Sequence, residues 1–258
     1  MKPAKSLLLE EAVTASRPGE DGHDEPVLKE TTLALSAGEL LAVVGPSGSG
    51  KSTLLRLFNR LLEPDSGQLF FCGKELLSYD PPDLRAQISL VPQKPYLFPG
   101  TVEANLLMPA RLRRSARPDL LSPKNRQLMQ MCHVDHEWLT RDARKLSVGQ
   151  QQRVCLLRAM LGPCKALLLD EPTSALDRPT ADLLAETFRT LAAEKELAIL
   201  FVTHDLRLAE RCADRVALMQ DGQIIEQGPV AQLLKQPETE AARRFLARGP
   251  DRERGADR

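Results

Sequence analysis

The eight residues Gly45–Ser52 read GPSGSGKS. The apolar run LLAVV stands before them. After them comes STLLRLFNRLL, in which Leu54, Leu55, Phe58, Leu61 and Leu62 fall on one face of a predicted helix. A strand apolar throughout belongs to a sheet covered on both faces, so this one stretch points to an α/β fold with a largely parallel sheet. The pattern G-x-x-x-x-G-K-[ST] is also chemically specific. Its glycines let backbone N–H groups curl around phosphate oxygens, and the helix that follows turns its positive end toward the same anion. Gly45, Pro46, Ser47, Gly48, Ser49, Gly50, Lys51, Ser52 and Thr53 are therefore the expected triphosphate cradle. Lys51 supplies charge to the β- and γ-phosphates, and the Ser52 hydroxyl is offered to Mg²⁺. The competing explanation is a chance glycine-rich turn, and the matching strand and helix on either side oppose it.

Other apolar runs repeat the theme. SLLLEEAV (6–13) and TTLALSAGE read as strands, with a polar loop over Thr14–Pro26 between them. KALLLDE and LAILFVTH are two more buried strands, separated by the helical TADLLAETFRTLAAEKE. RVALMQDGQIIEQG reads as a hairpin about Asp221-Gly222. Residues 94–165 read as mostly helical, over TVEANLLMPARLR, SPKNRQLMQMCHV and VGQQQRVCLLRAML, and suggest an inserted subdomain. The expected organisation is one nucleotide-binding domain over 1–248 and a disordered polar tail over 249–258.

Asp170 and Glu171 end the run ALLLDE, at the strand edge where parallel sheets bind ligands. Asp170 can hold Mg²⁺ through water, which leaves Glu171 to orient or deprotonate the attacking water. An ordinary strand end with solvated charges is the plainer alternative. His204 closes the next apolar strand and is expected at the same edge, facing a γ-phosphate. Gln93, in the loop SLVPQKP, is a second candidate ligand for Mg²⁺ or the water.

The bulk composition narrows the classes. The 258 residues carry 35 basic and 35 acidic side chains, a balance that argues against a dedicated nucleic-acid partner. Five scattered cysteines, never spaced C-x-x-C, favour reduced thiols over a disulfide framework or a zinc site. The N-terminal apolar run is too short for a signal peptide, and no apolar run approaches the ~18 residues of a membrane span.

Taken in order, these motifs resemble the nucleotide-binding subunit of ABC transporters over nearly the whole chain. GPSGSGKST is similar to the family's Walker A and ALLLDEPTSALD to its Walker B and D-loop. Gln93 is similar to its Q-loop glutamine and His204 to its switch histidine, while LSVGQQQR resembles the signature usually written LSGGQ. The resemblance implies a P-loop NTPase core with an N-terminal antiparallel β subdomain. It implies ATP and Mg²⁺ as cofactors, ATP hydrolysis, integral-membrane permease subunits and a head-to-tail dimer with a second copy of the chain. In that dimer Ser147, Gly149, Gln150 and Asp177 act on the partner's nucleotide. Ser147 and Gln150 also fit the S-x-x-Q capping box, and both uses can hold together.

Two departures stand out. Val148 occupies a usual glycine position and would be poorly compatible with a positive φ. No Phe, Tyr or Trp precedes Phe58 to stack on adenine; His23 or Arg17 is a possible substitute, the alternative being a loosely held base. Arg111, Arg113, Arg114 and Arg117 form a basic patch that either faces lipid headgroups or is simply a solvated helix face. A soluble, non-transport ABC ATPase of DNA repair or translation is the alternative that the resemblance leaves, but neither the long coiled-coil insertion of repair members nor the doubled unit of translation factors is present. Within transporters, LSVGQQQRVCLLRAM and PYLFPGTVEANLLMPARLR resemble phosphate-importer ATPases and small systems linked to iron or aluminium resistance, so the expected cargo is an inorganic ion or metal.

Overall fold

The computed structural model describes residues 6–18 and 24–248. Two sheets share the chain. The first is antiparallel, in the order β2-β1-β4-β5, from β1 (Ser6–Pro18), β2 (Asp24–Ser36), β4 (Ser66–Phe71) and β5 (Lys74–Glu75). The second runs β10-β9-β3-β8-β7-β6, from β3 (Leu40–Val44), β6 (Ile88–Val91), β7 (Ala166–Asp170), β8 (Ala198–Thr203), β9 (Arg215–Gln220) and β10 (Gln223–Pro229). Every neighbour pair in it is parallel except the terminal β9–β10 hairpin.

The unbroken apolar strands now have their reason. In β3, Leu40, Ala42 and Val44 enter one core while Leu41 and Val43 enter another. The second core joins the parallel sheet to the antiparallel sheet and to α1 (Lys51–Phe58). The first joins it to α6 (Arg178–Lys195), α7 (Leu206–Cys212) and the inserted helices. Each fully buried leucine removes apolar surface worth roughly 1.5–3 kcal/mol, an upper estimate because the unfolded chain is already partly collapsed.

The insertion carries α3 (Val102–Leu112), α4 (Pro123–Met131) and α5 (Val148–Met160), each opened by a side-chain cap from Thr101, Ser122 or Ser147. Long turns join these helices, so the segment is less helical than its sequence suggested. The remaining helices are α2 (Pro81–Gln87), which leads into β6, and α8 (Val230–Leu233) and α9 (Glu240–Arg248), which follow β10.

Two further expectations need correction. Of the loop expected over Thr14–Pro26, residues 14–18 and 24–26 are strand and 19–23 lie outside the described residues; Val13 and Ala15 continue the alternation inward, and Ala15 pairs with Leu28 and Arg17 with Glu25. The helix expected through Leu62 stops at Phe58. Asn59 caps it and Arg60 turns left-handed at φ 54°. The Arg60 guanidinium ties to the carbonyls of Leu77 and Tyr79, and Leu61 is left 52% exposed, off the helical face. The tail over 249–258 lies outside the described residues.

Candidate functional site

The loop between β3 and α1 closes around its own lysine. Lys51 Nζ donates to the carbonyls of Gly45 (2.8 Å) and Pro46 (2.7 Å), and lies 3.5 Å from Ser49 Oγ. The turn between β9 and β10 braces the loop from outside, with Gly222 N donating to Ser49 O at 3.2 Å. That brace explains two glycines. A Cβ on Gly45 would sit 2.0 Å from the Met219 carbonyl oxygen, and Gly50 caps α1 at φ 101° with Leu28 packed against it. Gly48 differs: a Cβ there would meet nothing within 4 Å, so the loop is open on that side.

At the carboxyl end of β7, Asp170 Oδ1 accepts a hydrogen bond from Ser52 Oγ at 3.0 Å. Strand and helix thus bring a hydroxyl and a carboxylate together across the sheet edge. Both are hard oxygen donors, the set that Mg²⁺ prefers, so the residues present fit that ion.

Glu171 has a left-handed backbone at φ 46°. A non-glycine residue in that region costs on the order of 1–3 kcal/mol and persists only where its surroundings over-determine it. Here they do. Glu171 N donates to Val202 O at 3.0 Å, and its carbonyl accepts from Ser174 N (3.2 Å) and Ser174 Oγ (3.1 Å). Its carboxylate Oε2 lies 2.9 Å from His204 Nδ1 and 3.5 Å from Thr203 Oγ1. His204 therefore stands at the expected edge, bonded to Glu171. Gln93, after β6, donates from Nε2 to Ser174 Oγ at 3.2 Å and makes no hydrogen bond to Ser52 or Asp170. Ser174 and Thr203 were missed as site residues. Both lie inside quoted motifs, and a hydroxyl beside a strand-end acid or histidine was the available signal.

The signature segment opens α5 with both halves of the capping box: Gln150 N donates to Ser147 Oγ (3.3 Å), and Ser147 N to Gln150 Oε1 (3.0 Å). Val148 is the first helical residue and does not adopt the positive φ considered for it; its half-exposed side chain projects without strain. Gly149 is tightly placed. A Cβ would come within 2.8 Å of Thr180 Cγ2 and 3.6 Å of Leu176 Cδ2. The signature thus lies against the start of α6, next to Asp177, and no hydrogen bond of Ser147 or Gln150 reaches the phosphate loop. Asp177 caps α6 by accepting from Thr180 N at 3.1 Å. Hydrogen bonds from the Thr180 hydroxyl and amide hold its carboxyl below the ordinary range.

Arg17, one candidate partner for the adenine, is ion-paired with Glu25 at 2.8 Å, and His23 lies outside the described residues. In the basic patch, Arg117 pairs with Glu103 at 3.0 Å, and Arg113 turns inward beside Gly162.

The geometry has relatives. The family profile described as ABC transporter matches residues 28–174. YjkB of Bacillus subtilis (strain 168), named as an ABC transporter ATP-binding protein, is 39% identical over 230 residues, 89% of this chain and 90% of the relative. From the same organism, the glycine betaine/carnitine/choline transport ATP-binding protein OpuCA is 36% identical over 217 residues. That match covers 84% of this chain but 57% of OpuCA. Among solved structures, the dimeric post-hydrolysis ATP-binding cassette MJ0796 bound to ADP and Pi superposes with a TM-score of 0.74 at 27% identity. The superposition covers 86% of this chain and 98% of that one. With its phosphate loop, strand-end carboxylates and capped signature helix in the arrangement just described, this chain belongs to the ABC transporter family, as an ATP-binding ATPase subunit.

Proposed function

We propose that this chain energises a transmembrane transporter whose membrane-spanning part is a separate permease, and that it works as a head-to-tail dimer with a second copy of itself. Among the described residues no helix is long and apolar enough to cross a membrane. The proposed location, which rests on the likeness to transporter ATP-binding subunits, is the cytoplasmic face of the inner or plasma membrane, held there through the permease. The groove between α2 and the inserted helices, lined by Phe98, Leu112, Arg113 and Arg158, is the proposed seat for the permease.

The observation that carries the reading is the convergence of Lys51, Ser52, Asp170, Glu171 and His204 at one sheet edge. Lys51 and the backbone N–H groups from Gly45 to Thr53, Pro46 excepted, bind the phosphates. Ser52, Asp170 and the side-chain oxygen of Gln93 are the groups proposed to hold Mg²⁺, which would neutralise phosphate charge. Glu171 takes a proton from water as the water oxygen bonds to the γ-phosphorus. The bond from that phosphorus to ADP breaks, and ADP and phosphate leave. His204, bonded to Glu171 through Nδ1, presents its other nitrogen to the γ-phosphate. Ser147, Gly149, Gln150 and Asp177 complete the partner copy's site. In support of this, the capping box engages the Ser147 and Gln150 amides but not those of Val148 and Gly149, and Gly149 adds no side chain over them. Hydrolysis removes the bridging phosphate, and the dimer opens.

The reading of the cargo as an inorganic ion or metal rests on the resemblance of two segments alone, as does its phosphate-importer alternative. OpuCA is named for glycine betaine, carnitine and choline, so the cargo is assigned to the permease and not to this chain.

The test is Glu171→Gln, measured with the permease present. It should bind ATP and dimerise while turnover falls by about 100-fold or more. Ordinary turnover by that variant, or hydrolysis by an isolated single copy, removes the proposal.

A further inference from the structure

We propose that Ser174 is a positioning residue for the base, linking the loop of Gln93 to the peptide of Glu171; this rests on Glu171 being the base. The geometry points to it through one hydroxyl. Ser174 Oγ donates to the Glu171 carbonyl at 3.1 Å and accepts from Gln93 Nε2 at 3.2 Å. A serine hydroxyl has a single proton, so its orientation toward Glu171 is reinforced by the donor arriving from Gln93.

The linkage spans two different parts of the fold. Gln93 follows the edge strand β6, on the segment that leads into the inserted helices, and Glu171 follows its neighbour β7. The peptide at stake is the strained one, with Glu171 at φ 46°. Its carbonyl has two donors, both from Ser174. The amide donor belongs to the turn itself and remains whatever side chain stands at 174. The hydroxyl donor depends on the rotamer, and the rotamer depends on Gln93. Withdrawal of Gln93 frees the hydroxyl to rotate away and removes one of the two donors to the Glu171 carbonyl, leaving the Ser174 amide and the Glu171 N to Val202 O bond. The carboxylate then leaves the position set by His204 and Thr203. Movement of the Gln93 loop is in this way converted into placement of the base, without Gln93 touching Glu171.

Because Ser174→Ala keeps the amide bond, it cuts the linkage and spares the turn. Steady-state hydrolysis of ATP by the full chain, its ATP affinity and its thermal melting are measured for Ser174→Ala, Ser174→Thr, Gln93→Ala and the double variant Gln93→Ala/Ser174→Ala. Ser174→Ala is expected to lower kcat about five- to tenfold, the range that one lost hydrogen bond gives, with KM and ATP affinity within about twofold of the native chain. Ser174→Thr, which keeps the hydroxyl, restores most of the rate. The double variant is no slower than the worse single one, as expected of two groups acting as one unit.

A double variant slowed by the product of the two single effects overturns the linkage. So does an unchanged kcat in Ser174→Ala, or a raised KM with kcat preserved. If Ser174→Ala melts early, the comparison of Ser174→Thr with Gln93→Ala decides by the same criteria. Glu171→Gln separates the two ideas: its inactivity beside a silent Ser174→Ala removes the linkage alone, whereas its full activity removes the base assignment on which the linkage stands.

Discussion

His204 Nδ1 and Glu171 Oε2 are 2.9 Å apart, so the ring that closes β8 is bonded to the carboxylate that follows β7. The histidine side chain is 43% exposed and the glutamate 15%. Solvent screens such a pair, and its contribution is placement more than stability. His204→Ala should therefore lower kcat by about 10- to 100-fold while leaving ATP affinity and melting temperature near native values. Single-turnover hydrolysis beside equilibrium nucleotide binding measures both. A weakened affinity with an intact rate would move His204 from chemistry to binding.

The signature segment yields a contrast between neighbours. Val148 is half-exposed at the first turn of α5, and Val148→Gly should leave the ATPase rate within about twofold, since it removes no contact that the helix start requires. Gly149→Ala puts a methyl 2.8 Å from Thr180 Cγ2, on a β-branched side chain near the start of α6 that can yield little. Its rate should fall at least about tenfold, because a shift of that size displaces the helix start relative to Asp177. A silent Gly149→Ala would remove the segment from the site.

The parts of this fold legible in the sequence are those with one dominant physical cause. LLAVV, ALLL and AILFV are apolar at every position because both faces of the parallel sheet are covered, and the strands stand where the runs do. Asp221-Gly222 marked the hairpin because both residues take positive φ there. Less legible were places where two signals competed. The prolines and glycines of 14–26 suggested a loop, but the alternation through Val13 and Ala15 carried the strand onward. The apolar period through Leu62 was real, yet Arg60 found carbonyl partners on another segment and ended the helix early. At the site, Lys51 and Ser52 after β3, Asp170 and Glu171 at the end of β7 and His204 after β8 lie at the carboxyl ends of their strands, with Ser52 bonded to Asp170 and His204 to Glu171. The Ser174 link could not be read, because a hydrogen bond between residues 81 positions apart has no periodicity to announce it.

Asp177 has two duties that separate by substitution. It caps α6, and it is proposed to touch the partner copy. Asparagine caps as well as aspartate, whereas alanine does not. Asp177→Asn should therefore keep the native melting temperature at neutral pH, while Asp177→Ala melts lower. If charge matters in the dimer, Asp177→Asn should still weaken ATP-driven dimerisation of the Glu171→Gln protein, read by gel filtration. The carboxyl is held below its ordinary range in the folded state. Its stabilisation is thus present above the unfolded carboxylate value and is lost as pH falls through the lower, folded one. The advantage of native Asp177 over Asp177→Ala should accordingly shrink below about pH 4.

The five cysteines are all free, and burial sorts them. Removal from water disfavours a thiolate, and it pushes Cys132 and Cys212 up to about 12 and Cys164 up to about 11. Cys155, also buried, is raised too: burial outweighs the opposing pull of the Arg158 charge. Cys72 alone is exposed, on the turn between β4 and β5. Thiolate is the reactive form, so a thiol-reactive dye at pH 8 should label one cysteine of the native protein quickly and all five once denaturant exposes the core. Cys72→Ser should abolish the fast phase without changing ATP hydrolysis, since Cys72 lies on the antiparallel sheet, away from the edge that carries Lys51 and Glu171. A second fast thiol in native protein would mean that the segment carrying it, the end of α4 for Cys132, the turn before β7 for Cys164, α5 for Cys155 or α7 for Cys212, opens far more readily than its packing implies.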